Sequence, residues 1–268
     1  MAAMIAAMIE PGLRCLLAPN PSPMTYLGTN TYIIGTGEVA VLDPGPDDPA
    51  HLAAILQATN GERITHILLS HDHHDHSALI PRLRDATGAP VLAHRTGASQ
   101  VVPDIQVNDG DVLQGGTWRL EAIHTPGHTD DHLCFGMGDI CLTADHVMGW
   151  ASTAIITPRG NLRDYMASLD KLAARPWRRF LSAHGDPMED PARRIATLRA
   201  HRRSRNASIL RTLADGPMAV DDIVQRLYAT LAPGLQRAAR HNVVAHLNAL
   251  CDTDDVRQET AELFRLAA

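Results

Sequence analysis

Seven consecutive residues, Ser70-His71-Asp72-His73-His74-Asp75-His76, constrain this chain more than anything else in it. They follow directly on the apolar run 64–69, which has the pattern of a strand buried on both faces. The C-terminal ends of such strands are where ligands collect in open α/β sheets. Neutral imidazole and carboxylate are the ligands of zinc and related metals. Taken alone, the run also fits a solvated His-rich loop, so the rest of the chain has to decide.

Three further signals stand at the ends of apolar strand-like runs. They are Thr125-Pro-Gly-His128-Thr129 after 120–123, Thr143-Ala-Asp145-His146 after 140–142, and Ser182-Ala-His184-Gly185 after 180–181. Chance places one ligand type at one strand end. Four strand ends in succession, each with a turn residue or Gly beside the ligand, point to a metal site. Alternation and turn residues predict strands over 13–18, 31–36, 39–42, 64–69, 90–93, 118–123, 132–135, 140–143 and 179–183. Helical spacing predicts helices over 49–59, 76–87 and 162–174. After Pro187 the character turns helical, with runs over 190–214, 220–231 and 235–250, and 255–266 reads as a hairpin or a frayed helix. The expected division is an α/β body over 1–188 and a small helical unit over 189–268.

The pattern resembles the metallo-β-lactamase superfamily. Its H-x-H-x-D-H signature is met by His71, His73, Asp75 and His76, and its later ligands fall in order on His128, Asp145 and His184. The resemblance implies an αββα sandwich with two metal ions at one edge. His71, His73 and His128 would hold the first ion, Asp75, His76 and His184 the second, and Asp145 would bridge them. Two Zn²⁺ are the implied cofactors, with Mn²⁺ or iron as alternatives on the same ligands. A bound metal lowers the pKa of its water from ~15.7 toward ~7. The implied reaction is therefore attack of a bridging hydroxide on an ester, thioester or lactone carbonyl, with Asp75 accepting a proton and His184 helping to stabilise the oxyanion. His74 stands at a variable position of the motif and is expected to point away. Asp43, closing the 39–42 strand before Pro44-Gly45, is expected to support the His loop rather than merely cap a turn. His124 and His132 read as structural. His146 is open between a supporting and a core role, and Trp150 between lining the pocket and packing the tail.

With Ile209-Leu-Arg-Thr-Leu-Ala-Asp-Gly216, Val220-Asp-Asp-Ile-Val-Gln-Arg-Leu-Tyr228 and His246-Leu-Asn-Ala-Leu250, the tail resembles a winged-helix module. That combination, with Pro19-Asn-Pro-Ser-Pro23, Gly28-Thr-Asn-Thr-Tyr32 and Thr125-Pro-Gly-His-Thr-Asp-Asp-His132 in the body, resembles the β-lactamase-like protein 2 group, whose members imply either a thioesterase on carrier-bound substrates or a ribonuclease cutting single strands. Arg193, Arg194, Arg199, Arg202, Arg203 and Arg205 form a basic stripe of the kind phosphate tracking needs. The presumed wing, 252–262, is acidic, and aromatic residues in the tail are few. The favoured roles of the tail are therefore packing, walling the cleft or forming a homodimer, and the expected partner is a small-molecule or carrier-bound substrate. RNA stands as the alternative, and a non-catalytic regulatory module as a third reading. The net charge of -6 argues against a general nucleic-acid coat. Four cysteines without a C-x-x-C pair, and the absence of an ~18-residue apolar span, lead to an expectation of free thiols, no membrane and a cytoplasmic setting. The apolar segment 1–9 lacks the basic start of a secretory signal.

Overall fold

The computed structural model describes residues 6–94, 101–231 and 233–267. The segment read above as no secretory signal lies outside the described residues over 1–5. The chain divides into two compact units: Met1–Thr125 with Asp131–Ala151 and Pro176–Pro191, and Pro126–Asp130 with Ser152–Arg175 and Ala192–Ala268.

The first unit holds two sheets. The seven-stranded sheet runs in chain order: β1 (Ala7–Glu10), β2 (Leu13–Leu17), β3 (Asn30–Thr36), β4 (Glu38–Leu42), β5 (Arg63–Leu68), β6 (Val91–Ala93) and β7 (Ile105–Gln106). Strands β1 to β4 pair antiparallel, whereas β4 to β7 pair parallel. The parallel crossovers carry helices α1 (Pro49–Ala58), α2 (His74–Ser77) and α3 (Ile80–Thr87). The five-stranded sheet comprises β8 (Val112–Gly115), β9 (Trp118–His124), β10 (Leu133–Met137), β11 (Ile140–Ala144) and β12 (Arg179–Ser182), in the order β12-β11-β10-β9-β8.

Strand periodicity decides which side chains meet. On β3 and β4, Tyr32, Ile34, Ala40 and Leu42 face the second sheet and join Leu120, Ala122, Phe135 and Leu142 in one buried cluster. Their alternates Ile33, Val39 and Val41 face the other way, onto Ile55 of α1 and Ile80 and Leu83 of α3. A sheet covered on both faces explains why β4 and β5 read as near-continuous apolar runs.

One predicted helix is corrected. Residues 76–87 do not form a single helix but α2 and α3, because the Leu79 N–H donates to Gly45 O at 3.0 Å rather than continuing the helical ladder. Pro81, lacking an N–H, then sits in the first turn of α3, where that lack is tolerated. Gly45 N–H in turn donates to His76 O at 3.1 Å, so the turn after β4 clamps the short helix that carries Asp75 and His76.

The second unit contains α4 (Leu162–Ala173), α5 (Pro191–Leu213), α6 (Val220–Leu227), α7 (Gln236–Cys251) and a three-stranded sheet of β13 (Met218–Ala219), β14 (Val256–Gln258) and β15 (Leu263–Leu266) in the order β13-β15-β14. Ile209, Leu213, Ile223, Val243, Leu247 and Phe264 form its core. The last segment is the hairpin alternative, pairing Val256 with Leu266 and Gln258 with Phe264. Helices followed by a small antiparallel sheet are the winged-helix arrangement. All four cysteines are free. Among the described residues no helix is long and apolar enough to cross a membrane.

Candidate metal centre

Strands β5, β11 and β12 end on the same edge of the first unit, and each end delivers candidate ligands. After β5 the chain turns through Ser70, whose N–H and Oγ–H donate to Asp43 Oδ1 and Oδ2 at 2.8 and 2.7 Å. Asp43 Oδ2 also stands 2.9 Å from His76 Nδ1. One buried carboxylate therefore ties the start of the His loop to its last histidine. After β11, Ala144 takes a left-handed φ of 43°, a conformation costly for a residue with a Cβ, and this turns Asp145 inward. After β12, His184 donates from Nδ1 to Gly28 O at 3.0 Å.

These turns bring two groups together. Ligand atoms of His71, His73 and Asp145 lie within 4.8 Å of one another, and so do those of Asp75, His76 and His184. In the first group His71 Nε2 and His73 Nδ1 are 2.9 Å apart. In the second, His184 Nε2 lies 3.3 Å from Asp75 Oδ2, and His76 Nε2 lies 3.4 Å from the same oxygen. Asp145 faces both: Oδ1 is 3.2 Å from His184 Nε2 and 3.6 Å from His76 Nε2, while Oδ2 is 4.0 Å from His71 Nε2.

His128 lies in the segment Pro126–Asp130, which belongs to the second unit. Its Nδ1 is 2.7 Å from Ala154 O and 2.9 Å from Thr153 Oγ1. The turn that holds it requires Gly127, with φ 135°, because a Cβ there would come 2.3 Å from the Tyr165 backbone.

The donor set fits divalent metal. In His76, His128 and His184 the Nδ1 faces an oxygen acceptor, which leaves Nε2 as the ligand nitrogen; metal-bound histidines are oriented by such a partner. His76 Nε2 is buried yet makes no hydrogen bond of ordinary geometry, standing instead at the spacing two ligands of one ion would keep. His74 is exposed and belongs to neither group. His132 is buried with Nδ1 3.0 Å from Thr125 Oγ1, a structural contact. His146 is buried, its ring 5.6 Å from that of His132.

Electrostatics give the same site a measurable signature. Burial disfavours the charged form of His184, but Asp145 and Asp75 outweigh it and push its pKa up to about 10. Burial opposes charge on His76 too, yet Asp75, Asp145 and Asp43 raise it well above its ordinary value. Burial likewise opposes ionisation of Asp145, while His184 and His76 hold it well below the usual carboxylate range. Without a cation the histidines themselves carry the balancing protons. Zinc added to metal-free protein at pH 7 is thus expected to displace the protons of His184 and His76, about two per chain, in addition to any that coordinated water gives up, read with an indicator in weak buffer. The stabilisation from protonated His184 is complete below its ordinary 6.5 and lost as pH rises through about 10, so the part of the release owed to His184 should fall away across that pH. Release unchanged at pH 11 would contradict the assignment.

Comparison with known proteins follows this geometry. The family described as "Metallo-beta-lactamase superfamily" matches residues 24–184, and "Beta-lactamase associated winged helix domain" matches residues 219–264. The chain is 33% identical over 258 residues to a beta-lactamase-like protein 2 homolog of Drosophila melanogaster, covering 88% of this chain and 86% of that one. It is 30% identical over 236 residues to an atrochrysone carboxyl ACP thioesterase of Claviceps purpurea, covering 82% and 73%. A metallo-beta-lactamase family protein of Thermus thermophilus has the same fold, with a TM-score of 0.83 at 24% identity over 97% of this chain and 100% of that one. The chain belongs to the metallo-β-lactamase superfamily of hydrolases and carries that superfamily's associated winged-helix domain at its C-terminal side.

Proposed function

We propose that this hydrolase uses two divalent ions, zinc by default, to cleave an ester, thioester or lactone carbonyl. His71, His73 and His128 would hold one ion, Asp75, His76 and His184 the other, with Asp145 shared. The observation that carries this reading is Asp145, whose two oxygens turn to separate groups of ligand atoms. Bound there, such ions lower the pKa of coordinated water and polarise the oxygen of the electrophile.

The protein's own groups supply the rest. Asp75 is the more open of the two carboxylates, its side chain 28% exposed against 11% for Asp145. Asp75 is therefore the acceptor for the water proton, while Asp145 stays shielded. His184, fixed by Gly28 O, turns Nε2 toward both carboxylates, where it would hold the second ion and, through it, favour negative charge developing on the carbonyl oxygen. The thioesterase name of the Claviceps relative supports a thioester among the candidate substrates.

The ribonuclease alternative draws less support. Of the basic stripe on α5, Arg202 is buried under Tyr165 and donates to Thr153 O at 2.6 Å, Arg199 pairs with Asp170, and Arg205 lies over the Tyr228 ring. On α7, Arg240 is taken up by Asp221 and Glu262. Cations engaged in this way are poorly placed to follow a phosphate backbone. The deciding experiment offers zinc- or manganese-loaded protein a panel of thioesters, esters and lactones beside single-stranded RNA. Turnover of a carbonyl substrate with intact RNA is the expected result. Salt-sensitive RNA cleavage with no carbonyl turnover would replace this reading.

A further inference from the structure

Beside His184 stands a pair of exposed aromatic rings that the hydrolytic machinery does not use. Tyr26 and Trp150 stack with ring centroids 5.1 Å apart and planes 19° from parallel. They remain 43% and 37% exposed, and Met24 and Leu27 on the same loop are exposed as well. Both rings lie against the backbone just after His184: a Cβ on Gly185 would come 3.0 Å from Trp150 Cδ1 and 3.7 Å from Tyr26 Cδ1. The same loop supplies Gly28 O, the acceptor that orients His184.

The loop is built to hold Tyr26 in place. Asn20 Oδ1 accepts from Thr29 N–H and its Nδ2 donates to Thr29 Oγ1, both at 2.9 Å, closing the loop at its base. Inside it, Ser22 Oγ accepts from the Met24 and Thr25 amides at 3.1 Å. Tyr26 itself takes a left-handed φ of 56°, which disfavours a bulky residue there. A strained backbone that presents an aromatic ring to solvent, in a loop tied to a candidate metal ligand, is a reason to look for a ligand of that ring.

We propose that Tyr26 and Trp150 form a platform for a flat, conjugated acyl group, so that the substrate class is an aryl or polyenoyl thioester or ester. This rests on the carbonyl-hydrolase reading above. The rings are too close together to admit a third between them, which would need ~7 Å. The acyl group therefore extends the stack from an outer face, in the offset geometry aromatic pairs favour. A short aliphatic acyl group gains nothing there.

The test compares 2-naphthoyl and acetyl thioesters of N-acetylcysteamine with metal-loaded wild type, Trp150→Ala, Trp150→Phe and Tyr26→Asn. Asparagine suits the left-handed backbone, so the Tyr26 variant should keep its thermal midpoint. The expected result is a loss of about threefold to tenfold in kcat/KM for the naphthoyl substrate, carried by KM, with the acetyl substrate within about twofold and Trp150→Phe largely restored. Equal losses on both substrates would overturn the platform. If wild type cleaves neither thioester, the carbonyl-hydrolase reading is decided by the wider panel above, and the platform is decided by binding of a naphthylmethyl thioether. Saturable tryptophan quenching that disappears in Trp150→Ala supports it, and no saturable quenching in wild type removes it.

Discussion

Asp145→Ala is expected to lower kcat/KM by about three to four orders of magnitude, about 4–5.5 kcal/mol of transition-state stabilisation. The same variant should hold about one metal ion or fewer where the wild type holds about two. Both effects follow from one side chain. Oδ1 lies 3.2 Å from His184 Nε2 and Oδ2 lies 4.0 Å from His71 Nε2, so removing the carboxylate takes a negative group from each ligand set at once. In metal-free protein the loss should also lower the pKa of His184, because Asp145 is the main group that raises it. Asp75→Asn is the informative contrast. The amide keeps an oxygen in place but can neither take a proton nor bring charge to the second ion, so rate should fall by about two orders of magnitude or more, with the first ion kept and the second held more weakly. Metal analysis and kinetics on the two variants separate the roles. Undiminished turnover in Asp145→Ala with two bound ions would sink the shared-carboxylate arrangement.

Much of this arrangement was legible in the sequence because it is written in local signals. An apolar run that ends in His-x-His-x-Asp-His needs no long-range information to be read as a strand feeding a ligand loop, and β5 with its following turn has that form. The pairs Thr-Ala-Asp145 and Ser-Ala-His184 were legible for the same reason. What escaped is non-local. Residues 76–87 carry a helical pattern throughout, and only the hydrogen bond from Leu79 to Gly45, contributed by a different loop, divides them. The basic stripe on α5 was visible, but its partners Asp170, Tyr165 and Tyr228 come from other helices or their ends, so the stripe looked freer in sequence than it is. Trp150 was ambiguous between pocket and packing, and its contact with Tyr26 across most of the first unit's sequence could not be read from either segment alone.

The loop beneath the site yields the second large effect. Asp43→Ala is expected to destabilise the metal-free protein by about 3–5 kcal/mol, lowering its thermal midpoint by about 10 °C. Asp43 is buried, and its two oxygens take the Ser70 N–H, the Ser70 Oγ–H and His76 Nδ1, all of them buried too. Alanine would leave the Ser70 N–H and His76 Nδ1 without their acceptor and Ser70 Oγ with only His71 Nδ1 at 3.0 Å, at about 1–3 kcal/mol for each lost partner before relaxation. It would also place a Cβ at φ 50° without the local polar compensation that lets aspartate and asparagine adopt that backbone. Because the carboxylate orients His76, metal affinity should fall about tenfold to a hundredfold as well. Asp43→Asn tests the two consequences apart. It tolerates the backbone and keeps one acceptor oxygen, so most stability should return. It cannot serve both Ser70 and His76, so the affinity loss should persist in a chelator competition. Wild-type zinc affinity in Asp43→Asn would show that the carboxylate caps the turn after β4 without steering the histidine.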